Sequence, residues 1–174
     1  MHKAITFLLF LLAAMLLAGL FGAVHDQISY TVSPEYYTRF KFIQFNLQDA
    51  DVPPRLRAAQ VGFLASWWMG IPLAILTFPA ALIHRSPHDM RLALAWSPPV
   101  MAAFTLVFAL AGLAYGYVQT RGGDPASSGW FIPENVQDPR RFLCAGYMHN
   151  AAYMGGALAI AAGWAFHMVY RFRG

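Results

Sequence analysis

The residues best suited to chemistry in this chain are its histidines. Six occur among 174 residues, and four of them sit at or inside long apolar runs. His25 and Asp26 directly follow the first run, and His149 with Asn150 lies about two turns inside the last. His84 and His167 lie near the ends of the second and fourth runs. Imidazole and carboxylate are ligand types for zinc, copper and related metals. His25, Asp26, Glu35 and His149 therefore form a candidate metal set, although their spacing matches no known signature. On paper the histidines also make two pairs, His25/His149 and His84/His167, as a b-type haem needs for its axial ligands. His149 and His167 are 18 residues apart, so they share a helix face with a rise of about 27 Å. That would spread two haems across almost the whole hydrocarbon layer.

A plainer reading competes with the cofactor. Gln27, Glu35, His149, Asn150 and Tyr153 can form a hydrogen-bonded cluster that fixes a polar insertion to the helices. In this reading His84 and His88 are solvated loop residues, and His167 suits a helix C-terminus. The plainer reading ranks first. The cofactor is left unknown, with haem b or a transition metal as the less favoured possibility. The lone cysteine, Cys144, belongs to no metal spacing and reads as a small buried hydrophobe.

The elements that position these residues follow from composition. Hydrophobic residues make up 58% of the chain and charged residues 11%, with a mean hydropathy of +0.45. Soluble domains carry about 25% charged residues, so this composition points to a membrane. Four apolar runs predict transmembrane helices at about 4–24, 54–83, 91–118 and 139–170. The fold class is an all-α, four-helix membrane bundle. The first run follows Lys3 and is about 21 residues long, beyond the roughly 7–15 of a signal peptide core, so it reads as a retained helix. Pro72 and Pro79 in the second run, and Pro98-Pro99 in the third, predict bends. Trp67 and Trp68 read either as packed between helices or as marking a membrane boundary deeper than Val61. In the fourth run Asp138-Pro139 is a helix start. Ala151, Gly155, Ala159 and Gly163 recur every fourth residue and predict close helix packing.

Residues 25–53 and 119–138 make a small extracytoplasmic cap with a short strand or helix. Ile28, Tyr30 and Val32 alternate with polar residues, which reads as a strand. Ser33-Pro34-Glu35 then reads as a helix start. The aromatic residues from Tyr36 to Phe45, and Trp130, Phe131 and Ile132 of the second loop, suit a membrane interface. Residues 121–129 read as a flexible turn.

Charge distribution suggests sidedness. The short segments carry Lys3, Arg85, Arg91, Arg171 and Arg173 against Asp89, whereas residues 25–58 and 119–141 carry seven basic and seven acidic residues. Basic density on short loops favours both termini in the cytoplasm, with the larger loops outside. The net charge of +4 is not a nucleic-acid signal, because no basic cluster interleaves with aromatics. The partners expected are the bilayer, and other membrane subunits or a second copy.

Catalytic motifs are missing: there is no GxGxxG, Walker loop, GxSxG or HExxH. No Asp, Glu, Lys or Arg falls centrally in an apolar run, which argues against ion pumping. The leading functional expectation is a non-enzymatic accessory, assembly or scaffold subunit. The alternative is a haem- or metal-binding redox protein using His25 and His149, with His84 and His167 as a second site. A lipid-directed enzyme with His149 as base is third.

Overall fold

Four helices long and apolar enough to cross a bilayer dominate the computed structural model, which describes residues 3–122 and 128–172. Helix α1 spans Lys3–Val32. Ser33 breaks it with an extended backbone, and its hydroxyl accepts the Tyr36 N–H to start α2, Pro34–Tyr36. A π turn over Tyr37–Lys41 leads into α3, Phe42–Gln44. The second span is α4, Pro54–Ser66, and α5, Gly70–Ala81, joined by a tight 3₁₀ turn at Trp67–Met69. The third is α6, Pro87–Gln119, capped by Ser86, and the fourth is α7, Pro139–Phe172. The turn-rich stretch 123–127, with Asp124, and also Arg173 from the charge count lie outside the described residues.

Several expectations are corrected here. No strand occurs among the described residues, and Gln27–Val32 continue α1 as two further helical turns. The alternation of Ile28, Tyr30 and Val32 misled because helical partners lie on both sides of this segment. The first helix thus ends eight residues beyond the expected Val24, which places His25 and Asp26 inside it. Trp67 and Trp68 are 37% and 49% exposed, so they face outward. The break at these residues is explained by Pro72, whose ring crowds the carbonyl four residues earlier, that of Trp68. Pro98 and Pro99, by contrast, lie within an uninterrupted α6.

Two helix pairs make the most extensive contacts, α6 with α7 and α1 with α4. The α1–α4 crossing is a direct backbone approach at two glycines. A Cβ on Gly22 would lie 2.1 Å from the Gly62 carbonyl oxygen, and one on Gly62 would lie 2.1 Å from that of Gly22. In the α6–α7 pair, Gly155 is buried, and a Cβ there would lie 2.5 Å from that of Phe108. Ala151 faces Gly112, Gly163 faces Met101 and Thr77, and Ala159 is buried. These contacts let helices approach at distances that larger residues forbid.

The cap closes one end. Tyr36, Tyr37, Phe42, Ala58, Val61, Phe142 and Ala145 form its buried core, with Ile132 against them. The Glu35 carboxylate accepts the N–H groups of Gln137 and Asp138, and Asp138 in turn accepts that of Arg141. Glu35 thus joins the cap to the positive end of α7 and is not a partner of His149. Gln27 donates to the Arg55 carbonyl, and Arg55 lies over the Tyr30 ring, tying α1 to the start of α4.

At the opposite end His84 Nε2 and His167 Nδ1 are 3.0 Å apart. Burial pushes His84 below the ordinary histidine value, with Asp89 opposing. The folded state therefore prefers neutral His84. Its contribution to stability is present above the ordinary value of about 6.5 and is lost as pH falls below it. Thermal unfolding in detergent should show a midpoint that drops from about pH 7.5 to about pH 5, and His84→Gln should flatten the drop. An unchanged slope would remove His84 from the explanation.

Gly22→Leu should destabilise the fold by about 3 kcal/mol, at the upper end of overpacking costs, because the obstructing atoms are backbone. Gly155→Leu should cost less, since the Phe108 side chain can turn. The order of melting temperatures in one detergent tests this, and a Gly22→Leu protein as stable as wild type would refute the close crossing.

Candidate functional site

Helix extension past Val24 creates the site. His25, Asp26 and Ser29 stand at i, i+1 and i+4 on one side of α1, facing α7 and the cap. All three are buried, at 4%, 2% and 0% exposure. His149 comes from α7, ten residues in from Pro139. Ser33 turns the chain back, so that Tyr36, Tyr37 and Lys41 close over the same histidine.

The His25 Nδ1–H donates to Asp26 Oδ1 over 2.9 Å. That bond leaves the Nε2 of a neutral ring as an acceptor. His149 Nε2 lies 3.8 Å from the same carboxylate oxygen, 3.2 Å from Ser29 Oγ and 3.4 Å from the Tyr37 hydroxyl. Ser29 and Tyr37 are also hydrogen-bonded to each other. The Tyr36 ring stacks on His149 at 4.9 Å, and the His25 ring meets it edge-on at 4.7 Å.

Two buried atoms of this site have no hydrogen-bond partner, His25 Nε2 and Asp26 Oδ2. Such orphans are costly and call for a physical account. One candidate ligand atom each from His25, Asp26 and His149 lies within 4.8 Å of the other two. Burial pushes the Tyr36 and Tyr37 hydroxyls well above their ordinary range, so both stay neutral donors. Burial lowers Lys41, with Asp26 opposing, so its positive charge is weakly held. Its ammonium donates to Gln44 Oε1 over 3.0 Å and lies over the Phe40 ring.

The other nominated residues fall elsewhere. Asn150 is exposed, because one residue along a helix turns about 100° away from His149. Tyr153 is 48% exposed and stands at the edge of the site. Gln27 and Glu35 are occupied by backbone groups of α4 and α7, as described. His84 and His167 pair with each other at the far end of the bundle, where His167 Nε2 is buried without a partner. Neither histidine pair suits a bis-histidine haem. One is directly hydrogen-bonded and the other is in edge-to-face contact, so neither leaves a slot for a macrocycle.

A serine hydrolase is also excluded on geometry. Ser29 lies near His149 as a nucleophile would. However, its side chain is fully buried, and Asp26 approaches the same ring nitrogen instead of supporting the ring from behind. Ser29, Tyr36, Tyr37 and Lys41 were not legible as site residues. The available signal was the spacing of His25 and Ser29, which becomes one face only if the segment is helical.

The chain matches no family model, no curated protein and no solved structure.

His149→Leu should destabilise the protein by about 1–3 kcal/mol, since it removes the partner shared by the buried Ser29–Tyr37 pair and leaves one hydroxyl proton without an acceptor. His149→Gln should recover part of this by keeping a polar group there. Equal melting temperatures for the two variants would contradict a hydrogen-bonding role for His149.

Proposed function

We propose that this chain is a multi-pass membrane protein that binds a divalent transition metal at His25, Asp26 and His149. The observation that carries the reading is a buried set of two imidazoles and one carboxylate whose ligand atoms lie within 4.8 Å of one another. Unpartnered His25 Nε2 and Asp26 Oδ2 support it, because hydrogen bonds within the chain leave these lone pairs unused. An ionisable group buried at the end of a membrane helix is a functional candidate by default.

Two histidines and a carboxylate suit zinc, iron(II) or manganese, and leave coordination positions open. Tyr37 and Ser29 bond to His149 Nε2 and would orient the ring for a metal held at its Nδ1. Four apolar helices are compatible with a multi-pass membrane protein. Their outward apolar residues, such as Leu8, Leu16, Val107 and Leu158, suit lipid without requiring a partner subunit. We place both termini on the cytoplasmic side from basic-residue density, with the metal site toward the opposite face.

The test is metal analysis of the detergent-purified full chain. A stoichiometric transition metal is expected in wild type. Asp26→Asn and His149→Ala should weaken binding by at least the about 10–100-fold that loss of an outer-shell partner costs. Tyr37→Phe should fall within that range. Metal content equal in wild type and both ligand variants would overturn the proposal.

A further inference from the structure

An apolar cleft runs from the His25–Asp26–His149 cluster into the bundle between α1, α4, α5, α6 and α7. Its polar end is made by these three residues and Lys41, and its far end by Phe10 and Ala14. The distance along α1 from His25 to Phe10 is about 22 Å. The cavity is about 120 Å³, room for roughly 8–12 water-sized groups. It is therefore long and narrow. A helix, about 10–12 Å across, is too wide for it.

Small residues keep it open. Ala18, Ala102, Ala152, Gly156 and Ala159 line it from three helices. Gly156 is the clearest sign. It is buried, yet a Cβ added there would meet nothing within 4 Å. The other glycines on α7, Gly146, Gly155 and Gly163, are each pressed against a neighbour. Gly156 faces space. A cavity with walls this apolar is not a site for water and favours an apolar occupant. Tyr153 lines the cleft and is half exposed, so the cleft reaches the protein surface at its polar end.

The polar end selects the head group. The unpartnered atoms there, Asp26 Oδ2 and His25 Nε2, are both acceptors, and both residues are more than nine-tenths buried. A hydroxyl donates its single proton to one of them, whereas an ionised carboxylate has none to give. A hydroxyl oxygen is also a suitable ligand for a metal held by the same residues. We infer that the cleft binds a single-chain membrane amphiphile with a hydroxyl head, a long-chain or isoprenoid alcohol, tail inward and head at His25 and Asp26. This rests on the metal-site reading and supplies its substrate class.

The experiment uses the full chain in detergent with a photoreactive diazirine-bearing long-chain alcohol. After irradiation, labelled peptides are mapped and metal is measured on the same preparation. Labels are expected on α1 between Ala14 and Gly22 and on α7 between Ala152 and Ala159, and unlabelled alcohol should compete them away. Gly156→Leu should cut this labelling about tenfold, the equivalent of losing two buried methylenes, and leave metal content unchanged. Ala18→Leu gives a second obstruction should the first fail to fold. Labels confined to outward residues such as Leu8 or Val107 would overturn the inference. So would undiminished labelling of both obstructed variants. A methyl ether of the same chain that labels as well as the alcohol would overturn the hydroxyl assignment. Metal present without cleft labelling defeats this inference alone. Labelling of the cleft without metal defeats the metal reading and leaves the cleft.

Discussion

Asp26 is a carboxylate buried to 2% exposure in the last two turns of a membrane-length helix. Placing such a group away from water costs several kcal/mol unless neighbours take over its hydration. Much of the cap end can be understood as meeting that demand. His25 supplies the direct bond. His149 is brought from α7 to the same oxygen, and Tyr37 and Ser29 hold His149 in turn. For Tyr37 to arrive there, the chain must reverse immediately after α1, and Ser33 makes that reversal. The aromatic core from Tyr36 to Phe142 then packs beside the cluster, with the Tyr36 ring stacked on His149.

The spanning helices are longer than a hydrocarbon layer requires. The thirty residues of α1 extend about 45 Å and the thirty-four of α7 about 51 Å, against a hydrocarbon thickness of about 30 Å. Surplus turns at the cap end would lie in the interfacial zone. Charged and polar side chains cost less there than at the bilayer centre. The site can thus be dry enough to strengthen electrostatic interactions and still lie close to the aqueous phase.

Small residues serve two opposite purposes in this bundle. Gly22, Gly62 and Gly155 remove side chains so that helices touch. Gly156, one residue further along α7, removes a side chain where no helix comes near. The tight contacts make the second role possible, because helices clamped at Gly22–Gly62 and along α6–α7 cannot collapse into the gap. A void held open by rigid neighbours is a different object from loose packing.

Much of the architecture was legible in the sequence because the signals are local. Four apolar runs predict four membrane-length helices by length alone, and Asp138-Pro139 and Ser33-Pro34 mark helix starts through capping chemistry that acts within three residues. The pairing of His25 with His149 was open as a possibility, but its content was not. Alternating polarity over Ile28–Val32 imitates a strand, and it concealed the helical face that joins His25 to Ser29. Composition could not distinguish the spanning-helix glycines that are in contact from Gly156, which faces space. Nor could it place Glu35 on the start of α7 or turn Asn150 outward. Those outcomes depend on which helix faces meet, and a face is chosen by the whole bundle at once. The sequence by itself determined the number of spans and their caps, since hydropathy and capping are properties of neighbouring residues. Only the tertiary structure decided that residues about 120 positions apart share one buried carboxylate, because that meeting is set by long-range packing.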